Sequence, residues 1–217
     1  MDKVMDAATL YSQIKEYANL NDTTICHLHI PNNIPCIEDS NVKCLHPSKV
    51  KVLNFDLVKE LYCGTLSSVD AITHKHQLIV FVEIKSVENI AKELRFDKRI
   101  TKRIDSSTNK GEAVSAIANI KVKKLADSLK AKIQHSIEIC KGIANDENLF
   151  NKIDFVYVLV TDVDTLSNPM QQFQAHLNEL SYNAVKLKME SELKKEHISV
   201  GHRNRYARCK EFDKFME

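Results

Sequence analysis

The chain has 217 residues, 43% of them hydrophobic and 28% charged, with a formal net charge of +2 at pH 7. That length carries one ample core with extensions, and so small a net charge excludes a chain that binds polyanions simply by being polycationic. No apolar run reaches the ~20 residues of a membrane span, and Met1-Asp2-Lys3-Val4-Met5-Asp6 lacks the basic-then-apolar order of a secretory leader, so a cytoplasmic protein without membrane association is expected.

Met5, Leu10, Ile14, Tyr17 and Ala18 recur at helical spacing and predict a first helix over residues 5–20, stopped by Asn21-Asp22. The following stretch is rich in Asn and Pro and reads as irregular, with a short strand over Thr24–Ile30. Cys26, His27, His29, Cys36, Cys44 and His46 crowd into it, but the nine and seven residues between successive cysteines do not repeat a zinc-site spacing. Free thiols and surface histidines are the preferred reading there, and a structural metal the alternative.

Phe55, Leu57, Val58 and Leu61 predict a short helix that ends before Gly64, with Asn54 or Asp56 as its N-cap and Glu60 on its surface. Two strands follow, over 65–73 and 77–86, joined by His74-Lys75-His76; so short a connection requires an antiparallel pair. With that turn, Asp70 does not fall directly opposite Glu83 without a bulge or register offset. Leu78-Ile79-Val80-Phe81-Val82 is continuously apolar, yet Glu83 and Lys85 follow at once. Residues two apart share a strand face, so a charged pair interrupts a segment built to be dry, where unpaired charge is costly.

Further on, 87–94 reads as a helix and 106–111 as a mobile loop. Val114, Ile117, Ile120, Leu125, Leu129, Ile133, Ile137 and Cys140 predict one long amphipathic helix over 112–143, or two with a break. Ile153–Val160 is almost wholly apolar, which predicts a central strand covered on both faces. Asp162 and Asp164 at its end read as turn caps in preference to metal ligands. A further helix is expected over 169–195, followed by a basic tail from His197. No repeat or low-complexity linker divides the chain, so a single domain over 1–217 is expected, with a core at about 50–165, an N-terminal extension over 1–49 and a helical basic C-terminal extension over 166–217.

Positive charge is clustered. From Arg95 to Lys124 there are nine Lys or Arg, including Arg95, Lys98, Arg99, Lys102, Arg103, Lys110 and Lys124, and a second group containing Arg203 and Arg205 lies near the end. Each cluster reads either as a phosphate-contacting surface, contributing salt-dependent affinity, or as a solvated helix face.

Ser68-Val69-Asp70-Ala71-Ile72 followed by Phe81-Val82-Glu83-Ile84-Lys85-Ser86 resembles the D-x(n)-E-x-K core of the PD-(D/E)XK nuclease superfamily, over roughly residues 50–165. Val69 stands where that superfamily often has proline. The resemblance implies an α/β, restriction-endonuclease-like core in the order α-β-β-β-α-β, a mixed central sheet flanked by helices, with extra N- and C-terminal helices. It implies a metal-dependent nuclease acting on nucleic acid, DNA more than RNA. Asp70, Glu83 and the Ile84 carbonyl would hold Mg²⁺ or Mn²⁺, and Lys85 would orient the attacking water and offset charge on phosphorus. By the same resemblance Glu60 is a candidate additional metal ligand, and Gln134 or Lys130 a helix-borne addition. Three alternatives stand beside it: a structural Glu83–Lys85 ion pair, a catalytically silent nuclease-like domain that binds nucleic acid or a protein partner in a larger assembly, and an unrelated interaction module. A homodimer is compatible with a double-strand cutter.

Overall fold

A computed structural model describes residues 5–28, 48–84, 109–149, 152–161 and 203–217. Helix α1 (Ala7–Ala18) starts where the Asp6 carboxylate accepts the Thr9 N–H at 2.7 Å and stops at Asn19, whose φ of 50° turns the chain left-handed. Asn19, ahead of the expected Asn21-Asp22, is therefore the stop. Strand β1 (Thr23–Thr24) is two residues long and passes into a 3₁₀ turn (Ile25–His27). Strand β2 (Lys51–Asn54) was not expected from the sequence. Helix α2 (Phe55–Cys63) follows directly, and of its two candidate caps Asn54 serves, its Oδ1 accepting the Leu57 N–H at 3.3 Å.

Strands β3 (Ala71–Lys75) and β4 (Leu78–Ile84) form the expected antiparallel hairpin, but the turn is His76-Gln77, with His76 at φ 52°. This moves the register from the one expected. Lys75 pairs with Leu78 and Ala71 with Val82, so Asp70 is next in line with Glu83 with no bulge between. Helix α3 (Lys110–Ala144) is a single 35-residue helix that already includes Lys110 and Gly111, which the sequence reading put in a loop. Strand β5 (Asp154–Thr161) and strand β6 (Arg203–Arg208) precede helix α4 (Cys209–Met216). Part of the expected helical tail is thus a strand. The helices expected over 87–94 and 169–195, together with Asp162 and Asp164, lie outside the described residues.

The fold is α/β. One mixed sheet runs in the order β1-β2-β3-β4-β5-β6, antiparallel through β4 and parallel from β4 to β6. Alternation along its strands sorts the core into two layers. Ile72, Ile79, Phe81, Phe155, Tyr157 and Leu159 pack with α1, α2 and α3, while Ala71, Val80, Val82, Val156, Val158 and Val160 pack with the 3₁₀ turn and α4. Apolarity at both parities of β5 is thereby explained, because each face has a cover. Among the described residues no helix is long and apolar enough to cross a membrane. Cys26, Cys63, Cys140 and Cys209 are not disulfide-bonded; Cys26 is buried and accepts the Ser48 N–H, and most of the Cys/His-rich stretch lies outside the described residues.

Candidate functional site

Glu83 has the parity of Ile79 and Phe81 on β4, and Asp70 that of Ile72 on β3, so both point to the layer covered by α3. Glu83 is 1% exposed and Asp70 26%. Between them stands Lys132 of α3. Its Nζ donates to Glu83 Oε1 at 2.7 Å and Oε2 at 2.9 Å, and reaches Asp70 Oδ1 at 3.4 Å. The other Asp70 oxygen accepts the Ile84 N–H at 2.6 Å, and the Asp70 carbonyl accepts the Phe55 N–H at 3.0 Å, so the aspartate is tied to β4 by its side chain and to α2 by its backbone.

The segment entering β3 is held residue by residue. Ser67 donates its N–H to His135 Nδ1 at 3.2 Å, and its hydroxyl lies 2.8 Å from the same nitrogen. Ser68 donates to Asp56 Oδ1 of α2 at 2.7 Å, and Val69 donates its N–H to Ser136 Oγ at 3.0 Å. Lys132, His135 and Ser136 are spaced i, i+3, i+4 and occupy one flank of the α3 surface whose apolar part is Leu129, Ile133 and Cys140. That flank satisfies polar groups which burial would otherwise leave costly, and it sets the position of Asp70.

The charges act on one another. Burial raises the Asp70 carboxyl above the ordinary aspartate range; the Lys132 ammonium and the Ile84 N–H oppose it, and the Asp56 charge adds to it. Burial works to lower the Lys132 ammonium, but Glu83 and Asp70, with Asp56 behind them, outweigh that and leave it raised. Lys132 is therefore charged at neutral pH, the only lysine that touches both carboxylates among the described residues.

The structure brings Asp70, Glu83 and the Ile84 N–H together and adds Lys132 and Asp56. Lys85, Arg95, Lys98, Arg99, Lys102 and Arg103 lie outside the described residues. Glu60 is 60% exposed and pairs with Lys59 at 2.6 Å; the α2 carboxylate acting on Asp70 is Asp56, one turn earlier. Gln134 is exposed, and the lysine that enters the site is Lys132, not Lys130. Lys124 is exposed on α3, Lys110 lies in its first turn, and Arg203 and Arg205 belong to β6.

Whether a divalent ion suits this place is a question of donors. Hard carboxylate oxygens suit Mg²⁺ or Mn²⁺, and three of the four here already surround one cationic nitrogen. Among the described residues no three His, Cys, Asp or Glu side chains form a metal-holding group. Two carboxylates are a donor set compatible with Mg²⁺, which is commonly held by one or two carboxylates, with water and substrate oxygens completing its shell. No known protein family, curated protein or solved structure matches the chain.

Proposed function

We propose that this chain is a metal-dependent nuclease that hydrolyses phosphodiester bonds in nucleic acid, DNA in preference to RNA, with Asp70 and Glu83 as its metal-holding carboxylates. The observation that carries the reading is the convergence of those two side chains, from adjacent strands, on a single cationic atom at the end of the sheet. A second observation supports it. The described elements run α1, β1, β2, α2, β3, β4, α3, β5, and with the two-residue β1, the 3₁₀ turn and α2 set aside as additions this is compatible with the α-β-β-β-α-β order that the resemblance implies.

Bound Mg²⁺ or Mn²⁺ supplies charge stabilisation to the phosphoryl oxygens and makes a coordinated water more acidic. The chain's own residues do the rest. Asp70 and Glu83 would hold the ion, with the Ile84 carbonyl as a third donor, and the Ile84 N–H fixes one Asp70 oxygen in place. Lys85, two residues after Glu83, orients water and offsets charge growing on phosphorus. The basic residues of 95–124 and of β6 contact the phosphate backbone.

One observation favours a second reading. Lys132 gives Glu83 two hydrogen bonds, as a structural ion pair would, and a catalytically silent domain that binds nucleic acid or a protein would keep such a pair. Incubation with plasmid, single-stranded DNA and RNA in Mg²⁺, Mn²⁺ or chelator separates the two. The nuclease reading expects cleavage that needs the cation and stops with chelator; binding without cleavage in every cation would leave the silent domain.

A further inference from the structure

Of the three charged side chains at the end of β4, the lysine has no place in a simple carboxylate trap for a dication. It repels a second positive charge and engages the oxygens that such an ion needs. We infer that Lys132 is a resident counter-ion which a divalent cation must displace, so that this one side chain sets the cation concentration at which the site loads. The inference rests on the reading of Asp70 and Glu83 as metal ligands.

Three features of the site support it. Glu83 is 1% exposed, so water does not solvate its charge and some cation has to accompany it whenever no metal does. Lys132 contacts both Glu83 oxygens and one Asp70 oxygen, whereas the remaining Asp70 oxygen is taken by the Ile84 N–H. A metal gripping both carboxylates therefore competes for the same lone pairs. Finally, the competitor is free to leave. Lys132 is 24% exposed and carries its compact charge on a flexible four-carbon stem. Its helix stays in place, because Leu129 and Ile133 are buried and Ser136 holds the Val69 N–H. Exchange of ammonium for metal therefore involves the stem alone.

Substitution separates this from a merely structural pair. Calorimetric titration of the whole chain with Mn²⁺ is expected to show Lys132→Met binding about tenfold tighter or more than wild type, the size of effect that one neighbouring charge has on a carboxylate's affinity for a proton. Lys132→Arg, which keeps the charge, is expected to stay close to wild type. Adding Asp70→Asn to Lys132→Met is expected to abolish the tightened binding. Lys132→Met takes the ammonium away from the buried Glu83, so the melting temperature in chelator falls, and Mn²⁺ is expected to raise that temperature more than it raises the wild type's, since a ligand stabilises the state it binds. If Lys132→Met does not fold even with Mn²⁺, Lys132→Gln is judged by the same two criteria. Unchanged or weaker Mn²⁺ binding in these charge-removing variants, with Asp70-dependent binding intact in wild type, overturns the displacement alone. Absence of Mn²⁺ binding from every protein overturns the metal-site reading as well.

Discussion

Lys132–Glu83 and Lys59–Glu60 are ion pairs of almost the same length, 2.7 and 2.6 Å, yet they are different objects. The first joins a helix to a strand across 49 residues of sequence and holds a carboxylate that is 1% exposed. The second joins neighbours on one surface helix, and its carboxylate is 60% exposed. Contact distance is therefore no measure of consequence. What differs is the desolvation each carboxylate has undergone, and so how much is lost when its partner is removed.

Glu83→Ala should have the largest effect. It takes away the closer of the two carboxylates beside Lys132, leaving Asp70 at 3.4 Å, and opens a cavity, at a cost of about 3 kcal/mol, read from the urea midpoint; on the proposed function, cleavage also disappears. Ser136→Ala leaves the buried Val69 N–H without its acceptor and should cost about 1–2 kcal/mol. Slackening the segment that carries Asp70 should lower turnover as well, in a variant that circular dichroism shows folded.

An intermediate case is Asp22, whose Oδ1 accepts the Tyr11 hydroxyl at 2.9 Å while its Oδ2 accepts Lys15 Nζ at 2.8 Å. Burial, followed by the hydrogen bond to Asp22 and its negative charge, pushes the Tyr11 phenol far above its ordinary value of 10.0. In this range the folded state holds a proton that the unfolded state releases, so the stabilisation is intact below pH 10 and is lost as pH rises beyond it. Denaturation midpoints should fall above pH 10 in wild type and fall less steeply in Tyr11→Phe. Glu60→Gln should do least, shifting stability by less than about 0.5 kcal/mol and leaving any cleavage unchanged; a large effect would show that exposure is the wrong criterion for ranking these pairs.

The contrast also explains what the sequence reveals and what it hides. Glu83 is conspicuous because it ends a run of five apolar residues, and Asp70 because the strand before it carries the companion motif. Lys132 is inconspicuous among the lysines of a long amphipathic helix, where a solvated face is the ordinary reading. Helical spacing does contain a signal: Lys132 and Ser136 fall within the buried arc bounded by Ile137 and Ile139, whereas Gln134 falls outside it and is exposed. Strand β6, Arg203–Arg208, is hidden for a different reason. Its residues are mostly polar, and parallel pairing with β5, a long-range event, makes it a strand. Strand β2 is merely short, four residues with Val52 and Leu53 buried on opposite faces. The register of β3 and β4 was decided by the turn: a two-residue connection at His76-Gln77 places Asp70 in line with Glu83, which a turn centred on Lys75 does not.

On the proposed function, Asp70 and Glu83 act together on one cation to cleave a phosphodiester. Plasmid nicking in Mn²⁺ by wild type and by Asp70→Asn, each shown folded by its melting curve, tests it most directly, because the substitution keeps the shape of the side chain and removes only its charge. Wild type is expected to nick the plasmid unless chelator is present, and Asp70→Asn not to nick it at all; equal nicking by the two proteins would overturn the shared-cation site.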